Sequence, residues 1–295
     1  MIEIFDSRQH FYKGNLHTHT TDSDGRMSPE DCIEAYRQQG YEFLALTDHR
    51  KLGRAYEDEG ILVIPSAEYD RNYLDKGGPE RAYHITGIGL KENILQDNAA
   101  GPQWLVNEIK KQGAFCTLAH PIWSLMTFEE CMALQGYDAI EIYNGVSEVY
   151  SGRGYSDIYL DMLASRGIYK KITAVDDTHF YDRDVFKGYV MVQAPERTWE
   201  ALYRSLMEEK FYASQGPVIT RLAYDEEKVL VETRDAAVIR FMSNTLYDGH
   251  RTVYSEAGEL LSEAEYPWGK ADRFVRVEVE DRQGRKAWSN YIRRP

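Results

Sequence analysis

Asn15-Leu16-His17-Thr18-His19 places two imidazoles two residues apart. On an extended strand such residues point the same way, so His17 and His19 face one point while Leu16 and Thr18 face the other side. That is chelating geometry, although a two-residue match arises easily by chance. Similar residues recur at the end of one apolar run after another: Thr47-Asp48-His49, Ser66-Ala67-Glu68, Leu118-Ala119-His120-Pro121 and Asp176-Asp177-Thr178-His179. His84 opens a further run, and Asp22 and Asp24 lie in the turn after His19. Six of the eight histidines fall at these positions, and only His10 and His250 fall outside. Singly, each has a structural alternative: Asp48 as a helix cap, His84 as a satisfied core residue, Glu68 as the partner of an arginine. Jointly, imidazoles and carboxylates in one place suit zinc, manganese or iron. Nine candidate ligands exceed the needs of a single ion, so two to three divalent ions are expected, with Glu68 or another carboxylate bridging.

The elements that must position them follow from the apolar pattern. Strands are predicted at Asn15–His19, Glu42–Thr47, Ile61–Ser66, His84–Leu90, Ala114–Ala119, Ala139–Tyr143 and Lys171–Val175, alternating with helices as in an α/β domain of mainly parallel strands. Seven such strands suggest a closed or nearly closed barrel, whose C-terminal strand ends form a common mouth. The helices are well punctuated: Ser28-Pro29-Glu30-Asp31 and Thr127 with Glu130 are start signals, and Gly40, Gly113, Gly136 and Gly167 are stops. A boundary is predicted near residue 215. Residues 216–295 read as a small all-β, sandwich-like domain with a hairpin around Asp281-Arg282-Gln283-Gly284-Arg285. There, core roles are favoured over a surface patch for Tyr247, Trp268 and Trp288.

Composition removes several classes of function. The 295 residues carry 35 Lys and Arg against 48 Asp and Glu, a formal charge of −13, which disfavours duplex nucleic acid and anionic membranes as partners. Three cysteines without a CxxC pair make neither a disulfide framework nor a zinc knuckle, and with no apolar leader or long apolar run a soluble, cytoplasmic protein is expected. There is no GxSxG elbow, Walker loop or GxGxxG opening a helix.

The order HxH, an aspartate in an Ser-Asp-Gly turn, Thr-Asp-His, a lone Glu, a lone His, Ala-His-Pro and a final Asp-x-His resembles the polymerase and histidinol phosphatase (PHP) family of metal-dependent phosphoesterases, over residues 13 to 215. The resemblance implies a distorted (β/α)7 barrel of PHP type binding up to three divalent metals. It implies His17, His19, Asp24, His49, Glu68, His84, His120, Asp177 and His179 as ligands, with Asp22 competing with Asp24 and Asp176 with Asp177. The activity expected is hydrolysis of a small anionic phosphate ester, such as a nucleotide or amino-alcohol phosphate, by a metal-bound hydroxide. Asp48, Glu68, His120 and Asp177 carry the catalytic roles, with Asp48 orienting a ligand. Asn144, Arg50 and Arg153, with Arg54 and Arg81, are candidate substrate contacts, and Trp123 and Tyr69 candidate stacking residues. Alternatives are a phosphodiesterase acting on oligonucleotide ends, a hydrolase of non-phosphate esters, and a catalytically silent metal-bound binding module.

Overall fold

The computed structural model of the protein describes residues 1–6, 8–58, 60–74, 80–95, 101–256 and 258–294, and the side chains of residues 73, 74, 80 and 81 lie outside that description. In chain order come β1 (Ile2–Asp6), β2 (Phe11–Asn15), α1 (Pro29–Gln38), β3 (Phe43–Leu46), β4 (Tyr56–Glu57), β5 (Leu62–Leu74), β6 (Glu80–Ile88), α2 (Pro102–Lys111) and β7 (Phe115–Leu118). Then follow α3 (Phe128–Ala133), β8 (Ala139–Asn144), α4 (Gly145–Ser151), α5 (Asp157–Ala164), β9 (Lys171–Val175), β10 (Tyr189–Gln193), α6 (Trp199–Met207) and β11 (Phe211–Ser214). The remainder is strand: β12 (Val218–Tyr224), β13 (Lys228–Ala236), β14 (Val238–Ser243), β15 (Thr252–Tyr254), β16 (Leu261–Pro267), β17 (Phe274–Glu280), β18 (Lys286–Ser289) and β19 (Ile292–Arg293).

Helix starts lie where the capping residues put them. The Ser28 hydroxyl accepts from Asp31 N ahead of Pro29, Thr127 and Glu130 form a reciprocal capping box, and Thr198 caps α6. Helix α4 has no such sequence signal and was not expected; Asn144 caps it through Ser147 N. Among the described residues no helix is long and apolar enough to cross a membrane.

The fold is a mixed α/β arrangement dominated by one large sheet, ordered β15-β14-β17-β18-β11-β10-β2-β3-β5-β6-β7-β8-β9. A second sheet runs β1-β12-β13-β16, so the N-terminal strand pairs with a strand from beyond residue 215. Pairing of β11 with β18 likewise crosses that position. The expectation of mainly parallel strands needs correction. β2, β3 and β5 are parallel, as are β7, β8 and β9, but β6 lies antiparallel to both β5 and β7. Only residues 75–79 separate β5 from β6, far too few for the crossover of a dozen or more residues that a parallel connection requires.

The cores match the layers. Leu105, Ile109, Cys131, Leu160 and Leu163 from the helices pack on the sheet side that carries Ile85, Leu118 and Ile140. Phe5, Ile219, Val231, Phe241 and Val277 fill the space between the two sheets. Trp288 and Trp268 are buried, whereas Tyr247 is exposed. Arg276 on β17 is fully buried and grips Asp161 of α5 through two hydrogen bonds of 3.1 and 2.7 Å, tying the C-terminal strands to the helical layer.

Candidate metal centre

The site grows out of the extension of β2. The strand stops at Asn15, earlier than the predicted Asn15–His19, and residues 17–19 run on between two neighbours, Thr18 O accepting from Thr47 N (2.8 Å) on the β3 side while the segment after β9 pairs on the other. Thr18 and Thr178 form a parallel bridge, His19 N donates to Thr178 O (3.1 Å) and Asp177 N donates to His17 O (2.9 Å). HxH and DxH are thereby laid side by side. Glu68 and His84 also differ from expectation: both sit within strands rather than at their ends, on the β5–β6 hairpin, where Asp70 pairs with His84 and Glu68 with Thr86. His120, Asp177 and Arg50 carry positive φ values of 28°, 52° and 57°. Such backbone costs a non-glycine residue of order 1–3 kcal/mol and persists only where the surroundings enforce it.

All nine predicted ligands come together in three overlapping groups: His19, Asp24, His49 and His179; His17, His19, Glu68 and Asp177; and Glu68, His84 and His120. In the middle group the Nε2 atoms of His17 and His19 lie 3.2 Å apart. Each is 3.1–3.3 Å from Glu68 Oε2 and from Asp177 Oδ1. A tetrahedral ion with bonds of about 2.0–2.1 Å holds its ligand atoms about 3.3–3.4 Å apart, so the four atoms have the spacing of a coordination shell. Asp177 Oδ1 and His49 Nδ1 are buried without a hydrogen-bond partner, as atoms awaiting an ion would be. Glu68 joins two groups, with Oε1 2.8 Å from His84 Nδ1 and 3.6 Å from His120 Nε2. The residues fit divalent metal.

Of the competing aspartates, Asp22 pairs with Lys51 at 2.8 Å, whereas Asp24 lies 3.5 Å from both His19 and His179. Asp176 turns away and accepts from Tyr36 Oη (2.6 Å) and from the backbone N–H groups of Phe186, Lys187 and Gly188. Burial lifts its carboxyl to about 6 against the pull of those donors.

The electrostatics of the cluster are those of mutual compensation. Burial alone would raise Glu68 and Asp177, but the surrounding histidines outweigh it and hold both carboxyls well below their ordinary values. Burial opposes protonation of His17, His19, His84 and His179, yet the carboxylates raise all four, His179 to about 9. For His49 burial wins and its pKa falls.

A layer of polar groups behind the ligands fixes them. Asp48 accepts from Thr20 N, Thr20 Oγ1 and Ser23 Oγ at 2.6–2.8 Å. Ser23 Oγ stands 3.4 Å from His19 Nδ1, so Asp48 orients His19 through the turn rather than its neighbour His49 directly. Glu141, missed in the sequence, binds His17 Nδ1 at 2.7 Å and accepts from His120 N (3.0 Å) and Asn144 Nδ2 (2.9 Å). Its signal was a carboxylate inside the apolar run Ala139-Ile140-Glu141-Ile142, which must find partners when buried. Asp184, also missed, accepts from the N–H groups of His179 and Phe180 at 2.7 and 2.8 Å; nothing in its sequence neighbourhood marks it.

The expected substrate contacts fare differently. Asn144 is fully buried and its amide is committed to Glu141, to Asp177 Oδ2 (3.0 Å) and to the cap of α4, so it positions a ligand instead of meeting substrate. Arg50 forks onto Asp70 (2.9 and 2.5 Å), and Arg54 pairs with Glu30. Arg153 is exposed and, like Arg50, does not line the cavity over the cluster; the Arg81 side chain lies outside the described residues. Tyr69 is buried, with its hydroxyl on Asn93 and Ile94 N. Trp123 does line the cavity of about 400 Å³, together with Tyr150 and Phe180.

Comparison with known proteins places this geometry. No protein-family model matches the sequence. Over 173 residues, 52% of the chain and 62% of the relative, it is 26% identical to the phosphoribosyl 1,2-cyclic phosphate 1,2-diphosphodiesterase of Eggerthella lenta. Over 84 residues, 26% of the chain and 29% of the relative, it is 33% identical to the 5'-3' exoribonuclease of Haemophilus influenzae. The matches thus span less than two thirds of either relative. A solved two-domain protein of Bacteroides vulgatus, described as containing a predicted PHP-like metal-dependent phosphoesterase, superposes with a TM-score of 0.55 at 17% identity, over 94% of this chain and 92% of that one. The fold is PHP-like. Among the described residues of this PHP-like chain, every candidate ligand lies between His17 and His179, and the strands after residue 216 supply none.

Proposed function

We propose that the chain is a metal-dependent phosphoesterase that hydrolyses a small phosphate ester on two to three divalent ions of zinc, manganese or iron. The observation that carries this reading is the set of three ligand groups joined by His19 and Glu68. Divalent ions held by these groups would lower the pKa of bound water toward neutrality and would bind phosphoryl oxygens as Lewis acids. Glu68, His120 and Asp177 hold the cluster in reach of the cavity, and Asp48, Asn144 and Glu141 keep the ligand rings and carboxylates aimed. The name of the Eggerthella relative favours a second reading, hydrolysis of a small cyclic diester, on the same groups.

The proposal includes the architecture. Residues 1–215 form a distorted (β/α)7 barrel, supported by the hydrogen bonds that join the extensions of β2 and β9. Residues 216–295 form a small β-sandwich-like domain completed by β1, supported by the pairing of β1 with β12. A reducing, cytoplasmic setting accords with three free, buried cysteines.

The test is a panel of phosphomonoesters, cyclic diesters, dinucleotides and carboxyl esters, assayed after loading with manganese or zinc. Release of phosphate from a monoester, lost on replacing Glu68 and His120 together, is the expected result. Cleavage of the diesters alone selects the second reading, and silence on all phosphate esters refutes both.

A further inference from the structure

The cavity over the cluster is lined by aromatic rings left partly open to solvent. Trp123 is 38% exposed, Tyr150 49% and Phe180 36%. Trp123 has its ring centroid 4.9 Å from that of His120 and 5.5 Å from that of His84, which with Glu68 form one ligand group. Phe180 follows His179, a member of a different ligand group, and its ring lies 4.7 Å from that of Tyr150. The pair is braced: the Tyr150 hydroxyl donates to Asp182, the guanidinium of Arg26 stacks 4.6 Å from the centre of Phe180, and Asp184 holds the Phe180 backbone. Rings fixed in this way lose little freedom when a ligand packs on them.

Apart from the candidate ligands and these rings, the described lining offers Asn72, Val146, Ser147 and Ser151, with no lysine or arginine among it. Aromatic faces discriminate by area and by the π-system of what they meet, and each ring supplies large contact area. The volume of about 400 Å³ falls within the range of about 300–1,000 Å³ typical of small-molecule sites.

We propose that the site selects phosphate esters whose organic part carries a planar ring of nucleobase size, received between Trp123 on one side and the Tyr150–Phe180 pair on the other. This rests on the phosphoesterase reading for its catalytic consequence, while the ring-binding wall stands on its own geometry. Stacking of a base on an aromatic side chain is worth about 5- to 150-fold in affinity.

The experiment compares a nucleoside 5'-monophosphate with ribose 5-phosphate, the same ester without the ring, on the metal-loaded full chain, with phenyl phosphate as a simple aryl arm. In parallel, calorimetry follows binding of the free nucleoside and of ribose to the metal-free protein. The expected result is a KM lower by about 5- to 150-fold for the nucleotide. That ratio falls toward one in Trp123→Ala or in Tyr150→Ala/Phe180→Ala and persists in Trp123→Phe. Preference for phenyl phosphate over the nucleotide assigns the wall to simple aryl groups and overturns the nucleobase assignment. Equal kcat/KM for nucleotide and ribose 5-phosphate overturns the proposal while leaving the phosphoesterase reading intact. If neither ester is hydrolysed, nucleoside binding that Trp123→Ala abolishes supports the ring site and counts against the phosphoesterase reading; no nucleoside binding overturns the ring site.

Discussion

Glu141→Gln tests whether the layer behind the ligands sets metal affinity. The wild-type carboxylate is acceptor-only and meets three donors: His17 Nδ1, His120 N and Asn144 Nδ2. An amide of the same shape that keeps its oxygen on His120 N and Asn144 Nδ2 turns its NH2 toward His17 Nδ1, which must then give up its proton there or face a donor. An unsatisfied buried group costs about 1–3 kcal/mol, so the metal-free variant should lose that much stability in a urea or guanidinium titration. The second effect acts on the metal. Glu141 is one of the charges that raise the basicity of His17, and outer partners of this kind typically contribute 10- to 100-fold to metal affinity. The expected loss is therefore about 1.4–2.7 kcal/mol of binding free energy. Competition of zinc or manganese against a chromophoric chelator measures it directly, and Asp138→Asn serves as a control because that carboxylate pairs with Lys110 away from the cluster. Wild-type metal affinity in Glu141→Gln, with the stability loss present, would refute the idea that Glu141 tunes the ligands.

Other changes follow from single contacts. Asn144→Ala removes the cap of α4 and a donor to Asp177 and to Glu141; a loss of about 2–4 kcal/mol in denaturant unfolding is expected, and a loss below 0.5 kcal/mol would sink the positioning role. Arg276→Met strips Asp161 of a bidentate partner inside the protein and should cost about 3 kcal/mol, with Arg276→Met/Asp161→Leu recovering much of it. Stability should rise with pH above about 8 through Lys170. Burial lowers its pKa to about 8 in the folded chain, so between there and its ordinary 10.5 the unfolded chain binds the extra proton. Denaturation midpoints at pH 7.5 and 10 in wild type and Lys170→Met check the sign, since the variant lacks this contribution. Chelation should lower the melting temperature, and saturating ion at about 100 times its Kd should restore about 2.7 kcal/mol; an unchanged melting temperature would argue that the groups hold no ion.

The candidate ligands were legible in the sequence because metal chemistry demands particular side chains, and those chains interrupt apolar runs. His17, His19, His49, His84, His120 and His179 could be picked out before any strand was drawn. The strand ends were harder. β5 runs to Leu74, with Glu68, Asp70 and Asn72 alternating with Tyr69 and Arg71 along a hairpin, one face of which looks into the site. Alternation of that kind reads as a strand end when the polar face is assumed to meet water. The extension of β2 pairs with a tertiary partner, the 176–178 segment, that lies some 160 positions away and leaves no local mark. Glu141 was visible as a charge in an apolar run, but Asp184 and the Asn144 cap act through backbone groups that no side-chain pattern announces. β1 is apolar enough to be a strand, yet its partner β12 lies more than 200 residues on.

Two kinds of force bear on the candidate ligands. Strain is the first: His120 and Asp177 hold left-handed backbone that only their anchors sustain, His120 N on Glu141 and Asp177 between His17 O and Asn144. Charge is the second. With carboxyls held low and imidazoles held high, the groups offset part of one another's charge, four raised imidazoles against Asp24, Glu68 and Asp177, which lessens what burying them costs. An ion bound there would displace protons from the imidazoles. The formal charge of −13 then bears on the surface more than on the cavity: Asp24, Glu68 and Asp177 bring three negative charges that two or three divalent ions would more than offset, which would leave a positive floor beneath the aromatic rings. Such a pocket would attract the compact, ring-bearing anion proposed above, whereas the acidic surface around it disfavours a long polyanion.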